Sequence, residues 1–208
     1  CEVLEHCRSA DITFNFVSSW FVYGAGGNLP AKEDDDLNPN GFYSITKLCA
    51  EDLIRSFAQT YGMRYRILRL CNVLGYGDTN ATKQKNAVTW MINELKDDRD
   101  VKIYDDGSHT RDFMHVTDVC NAIKLIIDKG AEDEIYNIGS GQPTTIREVL
   151  EYAKYFTNSK GNLNSIKTPD FHKVVQGLQH FYMDNSKLKS LGFDTLYDVK
   201  DMVRELCQ

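Results

Sequence analysis

Three stretches decide the fold: ITFNFVS at Ile12–Ser18, YSITKLCAEDLIRSFAQTY at Tyr43–Tyr61 and RYRILRL at Arg64–Leu70. The first is a short run of strand formers ending on small hydroxyl residues, the signature of an inner strand that ends at a site. In the second, Ile45, Leu48, Cys49, Leu53, Ile54, Phe57 and Ala58 recur at helical spacing and Gly62 closes the segment. The third thickens into Ile67, Leu68 and Leu70, as a buried parallel strand does after a crossover helix. Strand, loop, helix and strand in this order are the grammar of a parallel α/β sheet.

Working outward, helices are expected at Ala87–Leu95, Val116–Ile127 and Thr145–Phe156, and strands at Val101–Tyr104 and Glu134–Ile138. Thr145 and Glu148 have capping-box spacing, and Asp118 lies in a first helical turn, where a carboxylate suits the helix dipole. Gly139–Gly141 is a turn, and Gly24, Gly26, Gly27 and Pro30 begin a long loop, expected to be a mobile loop beside the site. Beyond Thr157 the signals shorten. The expected organisation is a partial Rossmann-like, doubly wound parallel sheet over residues 1–157, with interleaved lobe segments, and a small mixed α/β C-terminal substrate lobe over residues 158–208.

Composition excludes several function classes. Of 208 residues 42% are hydrophobic, enough for a sizeable core. With 24 basic against 30 acidic residues the formal charge is -6 and no basic stripe is present, so nucleic acid is not expected as a partner. No run approaches the roughly 18 apolar residues of a membrane span, and no membrane partner is expected. Six scattered cysteines without a C-x-x-C pair suggest reduced thiols and a cytoplasmic location. No His, Cys, Asp and Glu set has metal-site spacing.

The chemistry centres on Tyr43 and Lys47. Four residues apart at a helix start, they point to one side, with roots about 6 Å apart along the axis. A phenol, with a reference pKa of about 10, is a poor base near neutrality, and a fixed ammonium favours its charged form. Ser19, at the end of the preceding strand, offers a hydroxyl to the same substrate oxygen if the fold brings strand end and helix start together. Spacing alone favours a solvated helix face, because Tyr-x-x-x-Lys arises often by chance.

The ordered series Val17-Ser18-Ser19, Val22-Tyr23-Gly24, Asn38-Pro39, Tyr43-Ser44-Ile45-Thr46-Lys47, Ala50-Glu51 and Arg69-Leu70-Cys71-Asn72 closely resembles extended short-chain dehydrogenase/reductases, specifically the NAD-dependent sugar epimerase/dehydratase family. Arg111-Asp112-Phe113-Met114-His115-Val116, Asp118 and Tyr136-Asn137-Ile138-Gly139-Ser140-Gly141 continue the resemblance. It implies that Tyr43 is the acid/base, that Lys47 also holds the nicotinamide ribose of NAD with Ser18 alongside, and that Ser19 positions the substrate oxygen. By the same likeness Asn72 and Arg111 bind the phosphates of a nucleotide-diphosphate sugar, and the protein is a homodimer through the Tyr43 helix and the crossover helix that follows it. As isolated residues, Asn72 is more often a loop cap and Arg111 a surface ion-pair partner.

Dehydrating members of the family place an Asp-Glu pair after the serine, whereas Trp20 and Phe21 stand here. The resemblance therefore implies a nucleotide-sugar 4-epimerase, with a 4-keto-sugar reductase or a non-catalytic nucleotide-sugar-binding fragment as alternatives. Trp20 either packs over the sugar pocket or fills the core. Asp112 and Asp118 are expected to be structural, orienting Arg111 or stabilising the turn into the Val116 helix, and His115 to be a packing or hydrogen-bonding residue. The family's Gly-x-x-Gly-x-x-Gly turn is not found, and Gly24-Ala25-Gly26-Gly27 has the wrong spacing for it. The expectation is thus of a nucleotide-binding domain lacking its N-terminal part.

Overall fold

The computed structural model describes residues 2–78, 80–83, 85–169 and 180–208. Helix α1 (Glu2–Ser9) leads into strand β1 (Phe14–Ser19), which runs directly into a 3-10 turn at Trp20–Tyr23. Helix α2 (Phe42–Tyr61) then crosses to β2 (Tyr65–Leu70), and β1 and β2 pair in parallel from Phe14 opposite Tyr65 to Ser19 opposite Leu70. Gly62 ends α2 in the left-handed conformation that a residue with a Cβ rarely adopts, and its N–H reaches Ala58 O. The expectation of a partial sheet at this point is corrected: after α1 the described chain forms an intact β-α-β unit, β1-α2-β2, with its two strands paired in parallel over their full length.

Strand β6 (Glu134–Ile138) adds in parallel on the other edge of β2, giving the order β1-β2-β6. Ile67 and Leu68 on the central strand are fully buried, as expected when both faces of a parallel strand are covered. Each contributes about 1.5–3 kcal/mol of burial. Helix α4 (Val116–Lys129) brings Val119, Ala122 and Ile126 into the same core as Leu68, Met114 and Ile138.

Two smaller sheets complete the α/β fold. Strands β3 (Asn72–Leu74), β5 (Thr110–His115) and β7 (Pro143–Thr145) form one; β4 (Val101–Tyr104) and β8 (Leu163–Ile166) pair in parallel as the other. A second core unites β4 with helices α3 (Ala87–Lys96), α5 (Ile146–Thr157) and α7 (Val199–Leu206) through Ile92, Leu95, Val101, Val149, Leu150 and Val203, all fully buried. Helix α5 begins as its capping box requires, with Thr145 Oγ1 accepting from Glu148 N at 3.1 Å. A short helix α6 (Ser186–Ser190) closes the first core through Leu188.

Candidate active site

The carboxyl end of β1 gathers most of the residues singled out from the sequence. Ser19 caps the 3-10 turn, its Oγ accepting from Phe21 N at 3.4 Å. Lys47, one turn into α2, donates from Nζ to Val17 O at 2.9 Å, so the ammonium is fixed two residues before Ser19. It lies 5.8 Å from the centre of the Tyr43 ring and 4.9 Å from that of Phe16. Tyr43 is 55% exposed, and Phe21 meets its ring edge-on at 6.0 Å. Strand end and helix start therefore converge, and Ser19, Tyr43 and Lys47 share one neighbourhood.

Ser18, the residue expected alongside the cofactor, lies in the contact between β1 and α2. It is buried, and its hydroxyl donates to Glu51 Oε1 at 2.5 Å. Glu51 in turn accepts from Arg69 Nη2 at 2.8 Å, and both side chains are almost wholly withdrawn from water. Arg69 Nη1 donates to Tyr23 Oη at 3.1 Å, and Tyr23 donates onward to Asn137 Oδ1 at 2.6 Å. Burial pushes the Tyr23 phenol up to about 12, which keeps it a donor at any physiological pH. The sequence contained a signal for this network, since Glu51 falls on the same helix stripe as buried Ile54 and Ala58, and Arg69 interrupts an apolar strand.

Asn72 and Arg111 sit on neighbouring strands. Asn72 Nδ2 donates to Asp112 O at 3.1 Å, and Arg111 Nη1 donates to Thr110 O at 2.7 Å. The Arg111 guanidinium lies 5.5 Å from the centre of the Trp20 ring, and loss of hydration brings its pKa down to about 10, leaving it cationic at neutral pH. Trp20 is 3% exposed and stacks on Phe21 at 4.0 Å and on Phe181 at 4.6 Å, so it is a core residue whose ring connects Arg111 with the aromatic wall beside Tyr43.

Asp112 is structural, at the Gly139–Gly141 turn rather than at the turn into α4. Its carboxylate accepts from Ser140 N and Oγ, Gly141 N and Met183 N, so it ties the Gly139–Gly141 turn to the C-terminal segment. Burial raises its pKa despite those donors. Asp118 accepts from Leu196 N and Tyr197 N. His115 caps α4 through Nδ1, and its Nε2 lies 3.0 Å from Glu205 Oε2.

In the glycine-rich loop, Gly24 adopts φ +65 and bridges to Asn38; a Cβ there would lie 1.5 Å from Asn38 O. That loop lines a cavity of about 220 Å³ with Tyr23, Asp36, His180 and Phe181. Gly24 is therefore the tight point of a loop that lines this hollow, and Ser19, Tyr43 and Lys47 lie outside its lining.

Residues 1–139 match the model of the NAD dependent epimerase/dehydratase family, and the match begins at the first residue. A Methanocaldococcus jannaschii protein provisionally named a UDP-glucose 4-epimerase is 30% identical over 98% of this chain and 65% of its own. A UDP-N-acetylglucosamine 4-epimerase from Methanobrevibacter ruminantium M1, in complex with UDP-N-acetylmuramic acid, superimposes with a TM-score of 0.88 at 25% identity, covering 99% of this chain and 65% of that one. The UDP-glucose 4-epimerase of Thermotoga maritima, with UDP-glucose, gives 0.85 at 25% identity over 99% and 65%. The chain thus spans less than two thirds of the length of these relatives.

Proposed function

We propose, from the premise that the chain belongs to the NAD-dependent epimerase/dehydratase family, that the protein interconverts the C4 epimers of a nucleotide-diphosphate hexose. The observation that carries this reading is the convergence of Ser19, Tyr43 and Lys47 at the end of β1. The relatives named as 4-epimerases support the choice of reaction. So does the Trp20-Phe21 pair, which offers no acid or base for removing water from the sugar.

The residues present fit the nicotinamide-ribose end of NAD. Lys47 Nζ uses one donor on Val17 O, and its other two are available for ribose hydroxyls, with Tyr43 beside it. When bound, the dinucleotide supplies both the hydride acceptor and the hydride donor.

Tyr43 takes the proton of the C4 hydroxyl through its phenolic oxygen and gives it back after the keto sugar has turned its other face. Lys47 stabilises the phenolate by its fixed charge, and Ser19 holds the same sugar oxygen by a hydrogen bond. Arg111 pairs with the diphosphate through its forked donors, and Asn72 adds an amide. Ser18, whose hydroxyl is given to Glu51, serves the cofactor side through its place in the strand.

The protein works in the cytoplasm, where its described cysteines, all free, stay reduced. Among the described residues no helix is long and apolar enough to cross a membrane. It pairs as a homodimer through α2, whose Phe42, Ile45 and Leu53 are 92%, 46% and 60% exposed. The test is incubation with NAD and a panel of nucleotide hexoses, following C4 stereochemistry and net NADH together. Epimer interconversion without net NADH supports the reading; consumption of stoichiometric NAD(P)H identifies a 4-keto-sugar reductase, and tight binding without turnover a binding protein.

A further inference from the structure

Two side chains of α2, one helical turn apart, reach consecutive residues of β1: Lys47 donates to Val17 O, and Glu51 accepts from the Ser18 hydroxyl. The next residue along the strand is Ser19. Glu51 is wholly buried and Arg69 1% exposed, and they form a two-contact pair through Nη2 at 2.8 Å and Nε at 3.3 Å. Burying such a pair costs desolvation that two apolar residues would avoid, so it is a poor device for stability alone.

An uncompensated carboxylate at position 51 would stand one turn from Lys47 and compete for its ammonium. We infer that Glu51 and Arg69 are a positioning pair for the Tyr43–Lys47 chemistry: Glu51 fixes the end of β1 against α2, and Arg69 neutralises Glu51 so that Lys47 serves Tyr43. The inference rests on the acid/base role proposed for Tyr43. The polar groups facing the pair are Ser18 from β1, Tyr23 from the 3-10 turn, the Glu33 carbonyl from the following loop, and Lys47 one turn earlier on α2. Asn137 of β6 and the Glu33 carboxylate lie one bond further out.

The test compares the pH–rate profiles of Glu51→Gln, Arg69→Met and the double variant with that of the unsubstituted protein, alongside the pH dependence of the Tyr43 ring carbon by NMR. Arg69→Met leaves a bare carboxylate and moves both profiles to higher pH, by about half a unit; Glu51→Gln leaves a bare guanidinium and moves them lower by a similar amount. The double variant returns to the original midpoint, with kcat down about tenfold and KM for the sugar within about twofold, because the clamp on β1 is weakened.

Shifts of the same sign in both single variants, or none, overturn the inference. If the single variants do not fold, the double variant decides, since an unchanged kcat or a displaced profile contradicts the proposal. Opposite NMR shifts in a protein that turns over no nucleotide hexose would sustain the inference and end the epimerase reading instead.

Discussion

Lys47 Nζ donates to the carbonyl of Val17 at 2.9 Å, so the ammonium that lies 5.8 Å from the centre of the Tyr43 ring is held by the strand that carries Ser19. A helix residue and a strand backbone thereby share one fixed point.

Lys47→Met keeps much of the stem and removes the charge. Turnover is expected to fall by about 10²–10³ with little change in melting temperature, because an exposed-side ammonium contributes modestly to stability. Steady-state kinetics with a thermal melt checks both halves. A drop in turnover that tracks loss of fold would reassign the residue to structure.

Arg111→Met tests the diphosphate contact. Loss of a charged two-pronged hydrogen bond should weaken nucleotide-sugar binding by about 30- to 1000-fold, measured by calorimetry with the nucleotide diphosphate alone. Trp20 would lose its cationic neighbour but keep Phe21 and Phe181. Unchanged affinity would remove Arg111 from the site.

Asp112 links stability to pH. Burial holds its folded pKa above the unfolded value, so the folded state retains a proton that the unfolded state has released. Its contribution therefore favours folding at acid pH and declines as pH rises from about 4, the unfolded value, through the folded one. Asp112→Asn should flatten that part of the stability curve, and it should also destabilise the fold by about 1–3 kcal/mol because the amide group turns a donor toward Ser140, Gly141 or Met183. Denaturation across the acid range reads both effects.

Much of the frame was legible from pattern. Gly62 marked the end of α2, the Thr145–Glu148 spacing gave the start of α5, and the Ile67-Leu68 run identified a strand covered on both faces. Strand β5 is not legible as a strand, because Thr110–His115 carries four polar or charged positions whose partners, Thr144 and Ser140 among them, are distant in sequence. In the clamp formed by Ser18, Glu51 and Arg69, the sequence reading gives Ser18 a place beside the cofactor and gives Glu51 and Arg69 no role. Charges at core positions announce that a partner exists, but only the pairing of α2, β1 and β2 says which.

The exposed face of α2 gives a prediction about assembly. Leu53→Glu places a charge on the apolar stripe with Phe42 and Ile45 and should convert a dimer to monomers in sedimentation. A monomeric unsubstituted protein would refute the pairing through this helix without touching the chemistry.

The central claim, that hydride leaves C4 and comes back to it while Tyr43 holds the proton, is tested most directly with a nucleotide hexose carrying deuterium at C4. Our account predicts the 4-epimer with deuterium retained at C4, no net NADH, and at least 10²-fold slower conversion by Tyr43→Phe. Deuterium lost to solvent, or conversion at full rate without the phenol, would contradict it.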